Sequence, residues 1–520
     1  MGLESEAVVV RFSGQCPKCV HAMCGRHRGL RSGARSTIWS RVLLALVLLT
    51  PTVAAGQVIV YGANGQQMRG ERLEADGDDG YRLHIYRGVE HRIPKAAVAM
   101  IEDPPAPPGR PPRAEPQKPR QPLSDAERAE LERLLEAFFA AADDPAEQAR
   151  IRESLRDRDT LPPGEVAGFA KRIRDLAMQG PKLAVGTHPF AHPRFPGVVH
   201  VTLNGTAAPG EKLPVFLALH GGGENSGDWR SGTEFFFGPA RAALGNCILI
   251  APSVLEKRYA EWGKNPAEEE YVKEVLKAAK RTWDIDTDRI YLGGHSMGGY
   301  GTWHIGGHQA DLFAGLVAAA GGILTGQSLG ESWGWGVIGN LMHTPVTFSH
   351  GTKDGPSPVW SDQEANRILD DLEKAHPGSY PHRYVEIPDG DHQAPVREVK
   401  AGVEWAVRHR RNPAPKQLLW EPTRPFVKQF HWLRVEQPAM FQRLEARIEG
   451  NTVTIATRRL PGGFGLLLND ALVDLDAPVT VTVDGAEAFR GVVQPSITAL
   501  LDSIADRLDD KLVATARIDF

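Results

Sequence analysis

A serine sits among five glycines in RIYLGGHSMGGYGTW, residues 289–303. Its setting, Gly294-His295-Ser296-Met297-Gly298, has G-x-S-x-G spacing, follows a short apolar run and opens a helical stretch. A strand-to-helix turn this tight strains the serine backbone, and glycines two before and two after it let the strand and helix pass closely. The hydroxyl then projects beside a helix N-terminus, which favours negative charge. Ser296 is therefore a candidate nucleophile.

A serine hydroxyl needs a base to take its proton and a third group to orient that base. In this architecture they follow in the order Ser, Asp, His, each on a loop after a later strand. TPVTFSHGTKDG offers Asp354, and YVEIPDGDHQ offers His392. Asp362 falls in the following helix, while Asp389 and Asp391 would need a tight local turn to orient His392. His376 and His382 precede the last strand, at the wrong end of the sheet, and His350 reads as structural. Attack on an ester carbonyl makes an oxyanion that needs fixed N–H donors. Met297 is expected to supply one, and the loop LALHGGGENSGDW the other, from Gly221 and Gly222. Trp229, Tyr300, Trp333 and Trp335 are candidates for a substrate wall, with packing against the sheet as the alternative. No metal and no organic cofactor is implied, since the triad supplies both nucleophile and base.

The elements that must hold these residues lie between Lys182 and Arg411. VVHVTLNG, PVFLALHG, CILIAPS, RIYLGGH, GLVAAAGG, TPVTFSHG and RYVEIPDG read as strands, with helical stretches such as AEEEYVKEVLKAAKRTW between them. Apolar strands alternating with helices predict an α/β fold whose mostly parallel sheet is covered on both faces. Residues 57–102 alternate as short strands and predict a small β-barrel of the SH3 or Sm type. Residues 103–122 form a proline-rich linker. A helical segment covers 123–181, with one helix opening at Ser124 on a capping-box pattern and another over Pro163–Met178. Residues 412–520 return to strands, with one helix in SITALLDSIADRL, and predict a separate C-terminal, sandwich-like unit.

On LHGGGENSGDW, DTDRIYLGGHSMGGYGTW, AGG at 320–322, HGTKD and GDH, the segment 199–410 resembles the α/β-hydrolases. The branch it is similar to is that of secreted esterases, which includes polyhydroxybutyrate depolymerases, feruloyl esterases and prolyl-oligopeptidase-like hydrolases. The resemblance implies a serine hydrolase acting on a small-molecule or polymeric ester through an acyl-enzyme. A prolyl-oligopeptidase-like peptidase is the alternative, against which the chain shows no repeats of propeller length. A non-catalytic binding protein built on a hydrolase core is the third reading.

Before the first strands, Arg26, Arg28, Arg31, Arg35 and Arg41 precede the apolar run Val42 to Leu49, and small residues follow at Val53, Ala54 and Ala55. These are the three parts of a secretory signal peptide over residues 1–56, too short in its apolar run to span a bilayer. A secreted or periplasmic protein with no stable membrane span after cleavage is expected, with a signal anchor as the lesser alternative. Cys16, Cys19, Cys24 and His27 have zinc-like spacing but fall in this leader, leaving Cys247 in the mature chain as a small buried residue. The net charge of -4 over 520 residues offers no electrostatic reason for a nucleic-acid partner. Oligomeric state is not legible.

Overall fold

The computed structural model describes residues 58–62, 67–70, 72–75, 80–86, 89–94, 98–102, 121–222, 227–255, 262, 266–323, 336–439, 442–460 and 463–520. The leader with its cysteines, the linker up to residue 120, Gly223, Trp333 and Trp335 lie outside the described residues.

The N-terminal strands make a unit of their own. They are β1 (Val58–Gly62), β2 (Gln67–Gly70), β3 (Arg72–Ala75), β4 (Gly80–Tyr86), β5 (Val89–Pro94) and β6 (Val98–Glu102). They form two three-stranded antiparallel sheets, ordered β2-β1-β6 and β3-β4-β5.

Three helices open the larger unit: α1 (Asp125–Ala140), α2 (Pro145–Arg156) and α3 (Val166–Ala177). Ser124 closes the expected capping box, accepting from the Glu127 N–H while the Glu127 carboxylate accepts from the Ser124 N–H. The sequence expectation named two helices here. The additional one, α2, is capped by Asp144 with Pro145 in its first turn, a start signal as legible as that of α1.

The main sheet is built from β7 (Gly186–Pro189), β8 (Val198–Asn204), β9 (Leu213–Leu219), β10 (Cys247–Pro252), β11 (Ile285–His295), β12 (Gly315–Ala319), β13 (Val346–Gly351) and β14 (His382–Ile387). Its order is β14-β13-β12-β11-β9-β10-β8-β7, with β8 antiparallel to both neighbours and every other pair parallel. Every residue of β9, β10, β12 and β13 is buried, as continuous apolar strands covered on both faces must be. The covering helices are α4 (Trp229–Leu244), α5 (Pro266–Thr282), α6 (Met297–His308), α7 (Trp360–Ala375) and α8 (Val399–Ala406). Phe236 and Phe237 of α4 share a core with Val403 and Ala406 of α8, Phe216 and Leu249 of the sheet, and Cys247. Burial pushes the Cys247 thiol up to about 11, in keeping with a small core residue.

The last third of the chain holds β15 (Gln417–Trp420), β16 (Gln429–Phe430), β17 (Leu433–Arg434), β18 (Arg443–Glu449), β19 (Thr452–Arg458), β20 (Gly465–Leu468), β21 (Val479–Val483), β22 (Ala486–Gly491), α9 (Ile497–Arg507) and β23 (Ala516–Asp519). Five strands form one sheet, β15-β18-β19-β21-β22, and four form another, β16-β17-β20-β23. This region does not stand apart as the sequence expectation had it. Ile497, Leu500, Leu501 and Ile504 of α9 complete the core of α1–α3 with Leu131, Leu135, Leu155 and Ile173. Buried ion pairs cross the expected boundary as well: Arg411 with Asp509 at 2.7 Å and Arg507 with Asp311 at 3.0 Å. The three helices, the main sheet and the C-terminal strands form one compact unit. Among the described residues, no helix is long and apolar enough to cross a membrane.

Candidate active site

The site begins where β11 turns into α6. Ser296 sits at φ 58°, ψ -123°, a conformation that costs a non-glycine residue of order 1–3 kcal/mol and persists only where its surroundings impose it. Glycines impose it here. A Cβ on Gly294 would overlap the backbone of Gly298, and one on Gly298 would overlap the Leu219 carbonyl at the end of β9. The turn closes because four backbone segments meet without side chains between them. The Ser296 N–H is tied to the Ala319 carbonyl at 2.8 Å, and no side chain caps α6, so its first-turn N–H groups face the serine end.

The loops after β13 and β14 bring in two further side chains. The Ser296 hydroxyl meets His392 Nε2 at 2.8 Å, and His392 Nδ1 donates to Asp354 Oδ2 at 2.7 Å. The Asp354 carboxylate is fully buried, while the His392 side chain is 18% exposed, so substrate and water can reach the outer end of this chain of bonds. The two loops lean on each other through the Lys353 N–H and the Gly390 carbonyl, at 2.8 Å. Asp354 Oδ1 accepts from the Ser357 N–H at 2.8 Å, which fixes the second carboxylate oxygen. The three residues expected from the sequence are thus brought together. The competitors are elsewhere engaged: Asp362 lies in α7 against His350, Asp389 pairs with Lys353, and Asp391 accepts from the N–H groups of Gln393 and Ala394. His382 opens β14 beside Asp370.

Met297 is the first residue of α6, directly after the serine. Gly221 lies against Ser296: a Cβ there would come within 3.0 Å of the His295 carbonyl and 3.4 Å of Ser296 Cβ. Gly222 adopts φ 123°, open to glycine and little else. His220 sets this turn. It accepts from the Val254 N–H through Nε2, so its proton is on Nδ1, which donates to the Gly221 carbonyl at 2.8 Å. The Trp262 indole N–H donates to the His220 carbonyl.

Of the aromatic candidates, Trp229 stacks on His200 with ring centroids 4.1 Å apart and has the Arg230 guanidinium over its ring. Its faces are occupied by protein, which favours the packing alternative. Tyr300, one turn into α6, donates or accepts at Ser357 Oγ at 2.8 Å and so touches the loop that carries Asp354.

Some supporting residues went unnoticed in the sequence. His295, the variable residue before the serine, is buried, and burial pulls its pKa down. The neutral ring donates from Nε2 to the His392 carbonyl at 2.9 Å and lies 5.1 Å from the His392 ring, bracing it from behind. Its signal was available as a histidine inside the motif itself. Asp362 and Trp303, behind His350, carried no local signal.

Residues 255–328, which include this turn, match the model of the prolyl oligopeptidase family. A bifunctional acetylxylan esterase/xylanase of Neocallimastix patriciarum is 25% identical over 157 residues, 30% of this chain and 21% of that protein. The match thus spans about a fifth of that relative's length. Among solved structures, a ferulic acid esterase of Anaeromyces mucronatus aligns over 44% of this chain and 90% of its own at 19% identity, TM-score 0.34. A fluorophosphonate-binding serine hydrolase of Staphylococcus aureus aligns over 44% and 99% at 18% identity, TM-score 0.33. The family match and the acetylxylan esterase relative bear out the resemblance to α/β-hydrolases of the esterase branch.

Proposed function

We propose that this chain, an α/β-hydrolase by resemblance, is an exported serine hydrolase that cleaves carboxylic esters through an acyl-enzyme. The observation that carries the reading is the unbroken line Ser296 Oγ to His392 Nε2 to Asp354, at 2.8 and 2.7 Å. Those are the distances at which a base takes a hydroxyl proton while a carboxylate fixes its tautomer. His392 takes the Ser296 proton as Oγ bonds to the ester carbonyl carbon. The carbonyl oxygen becomes an oxyanion, for which the Met297 N–H and the Gly221–Gly222 loop are the expected backbone donors. The protonated His392 passes its proton to the departing alcohol oxygen, leaving the acyl group on Ser296. Water enters, gives a proton to His392 and attacks the acyl carbon, and Oγ leaves as the acid departs and recovers its proton.

The acetylxylan esterase relative makes acetyl esters the first substrate class to try. The prolyl oligopeptidase family match keeps a peptide bond as the second reading. Export rests on the order of basic, apolar and small residues in the leader. The six N-terminal strands support a small barrel, and the two C-terminal sheets a sandwich-like layer.

Short-chain p-nitrophenyl esters and a fluorophosphonate probe test the reading. Turnover and labelling present in the natural chain and absent in Ser296→Ala are expected. No labelling of the natural, folded chain overturns it.

A further inference from the structure

Behind Asp354 lies a second, wholly buried pair that the reaction above does not use. His350 is the penultimate residue of β13, four residues before Asp354, and its side chain and that of Asp362 are 0% exposed. Its Nδ1 faces Asp362 Oδ2 at 2.8 Å. Its Nε2 faces the Ser357 carbonyl at 3.1 Å and Asp354 Oδ2 at 3.3 Å. Asp362 Oδ1 in turn accepts from the indole N–H of Trp303, a fully buried residue of α6.

Both ring nitrogens therefore face oxygens, and the oxygens on the Nε2 side belong to a carbonyl and to the carboxylate that orients His392. A neutral imidazole has one N–H, and placing its lone pair at Nε2 would set it against two acceptors. The ring thus carries its Nε2 proton either as imidazolium beside an ionised Asp362 or as the neutral form accepting from a protonated Asp362. In both cases the Nε2–H donates to the Ser357 carbonyl, with the Asp354 carboxylate 3.3 Å from the same nitrogen. Burial alone would pull the His350 pKa down, but the hydrogen bond and charge of Asp362 outweigh it and raise the pKa. Burial likewise raises that of Asp362. The same proton therefore stays in the pair.

We propose that His350 is a positioning residue for the hydrolytic reaction, its Nε2–H holding the Ser357 carbonyl so that the Ser357 N–H fixes the Asp354 carboxylate that orients His392, with Asp362 and Trp303 setting the ring. The inference rests on the serine-hydrolase reading. Asp354 Oδ2 then accepts from His392 Nδ1 at 2.7 Å, with His350 Nε2 3.3 Å away, while Oδ1 accepts from the N–H of Ser357, the residue whose carbonyl His350 holds. Rotation of the carboxylate, which would misalign His392, is blocked at both oxygens. The link also joins the acid loop to α7 and α6, so the three helices and strands around the site hold one carboxylate in place.

The test compares His350→Leu, which removes the donor, with His350→Gln, which restores an N–H at similar reach. Both are measured on p-nitrophenyl acetate, with fluorophosphonate labelling and thermal melting alongside. In His350→Leu, kcat falls roughly 10- to 100-fold with KM nearly unchanged, the scale of a misplacement of about 1 Å in a reacting group. His350→Gln recovers most of that loss, whatever its melting temperature. A second pair covers the case in which His350→Leu does not fold. Asp362→Asn can keep the Trp303 bond through its oxygen and donate to His350 Nδ1, leaving Nε2–H in place, so it stays active; Asp362→Leu does not. A folded His350→Leu with unchanged kcat overturns the proposal. So does a folded His350→Gln or Asp362→Asn as impaired as its leucine counterpart. A natural chain that neither turns over ester nor labels overturns the hydrolase reading instead, which keeps the two failures apart.

Discussion

Two regions of the larger unit hold their shape by opposite means. At the turn around Ser296, precision comes from missing side chains. Gly294 and Gly298 leave room for backbone to touch backbone, as does Gly299 beside the Ala319 carbonyl, while Gly301 leaves room for the Trp262 side chain. At the junction with the C-terminal region, cohesion comes from long charged side chains taken out of water. Arg411 meets Asp288 and Asp509, Arg507 meets Asp311, and Asp502 is surrounded by Arg152, Arg434 and Arg517. Close-packed backbone fixes one geometry because any added atom overlaps. Buried ion pairs tolerate some movement but become costly when one partner is removed. The first arrangement suits a reacting centre and the second suits an assembly of layers.

The sharpest contrast comes from deleting the proposed nucleophile. Ser296→Ala is expected to lower ester turnover by about 10⁶-fold, the scale seen when a triad serine is lost, while the melting temperature is kept. A variant that retains a tenth of the activity would break the assignment of chemistry to this region. Arg507→Met should do the reverse. It removes the cation paired with the fully buried Asp311 carboxylate, which keeps the His431 N–H, and should cost about 3–5 kcal/mol in urea unfolding, with turnover per folded molecule preserved. Replacing both partners with apolar residues should recover much of that loss. Equal stability of the single and double variants would show that the pair does not act as a pair.

Gly298→Ala links the two means. Its Cβ would overlap the Leu219 carbonyl, and because the obstacle is backbone the turn itself must shift. A loss of about 2–3 kcal/mol is expected from overpacking, together with a fall in kcat because Ser296 moves off His392. Unchanged kcat in a folded Gly298→Ala would remove glycine crowding as the source of the site's precision.

The same division explains what the sequence made legible. The serine turn could be read because its determinants lie within five consecutive residues, and Asp354 and His392 because each follows an apolar strand in a fixed order. The mostly parallel sheet was readable from β9, β10 and β12, whose continuous apolar runs leave little ambiguity. The junction was not readable. Arg411 and Asp509 are nearly a hundred residues apart, Asp311 and Arg507 nearly two hundred, and a charged residue reads as solvated surface until its partner is placed. For the same reason α9 looked like part of a C-terminal unit: its apolar stripe predicts a helix but not that α1–α3 would receive it. The His350–Asp362 pair was hidden differently. Each residue was weighed for the chemistry at Ser296 and set aside, and only packing shows them facing each other behind Asp354.

The smallest effect belongs to one lysine in the charged junction. Lys280 is half-buried and donates to the Arg507 carbonyl at 2.8 Å. Burial, aided by Arg411 and Arg507 and opposed by Asp509 and Asp311, lowers its pKa to about 8 from an ordinary 10.5. The sign follows from proton counting. Below pH 8 the lysine is charged in both folded and unfolded chains, and its full desolvation cost is present. Between pH 8 and 10.5 the unfolded chain binds the proton more often than the folded one, so raising pH relieves the cost. This group alone then adds up to about 1.4 kcal/mol of stability per pH unit across that window. Urea unfolding at pH 8 and pH 10 should show the natural chain gaining relative to Lys280→Met, with other titrations cancelling in the comparison. Parallel pH dependence in the two chains would mean that Lys280 keeps its ordinary affinity for protons. Its charge would then be well compensated, making the junction a satisfied network instead of one that carries a strained cation between Asp509 and two arginines.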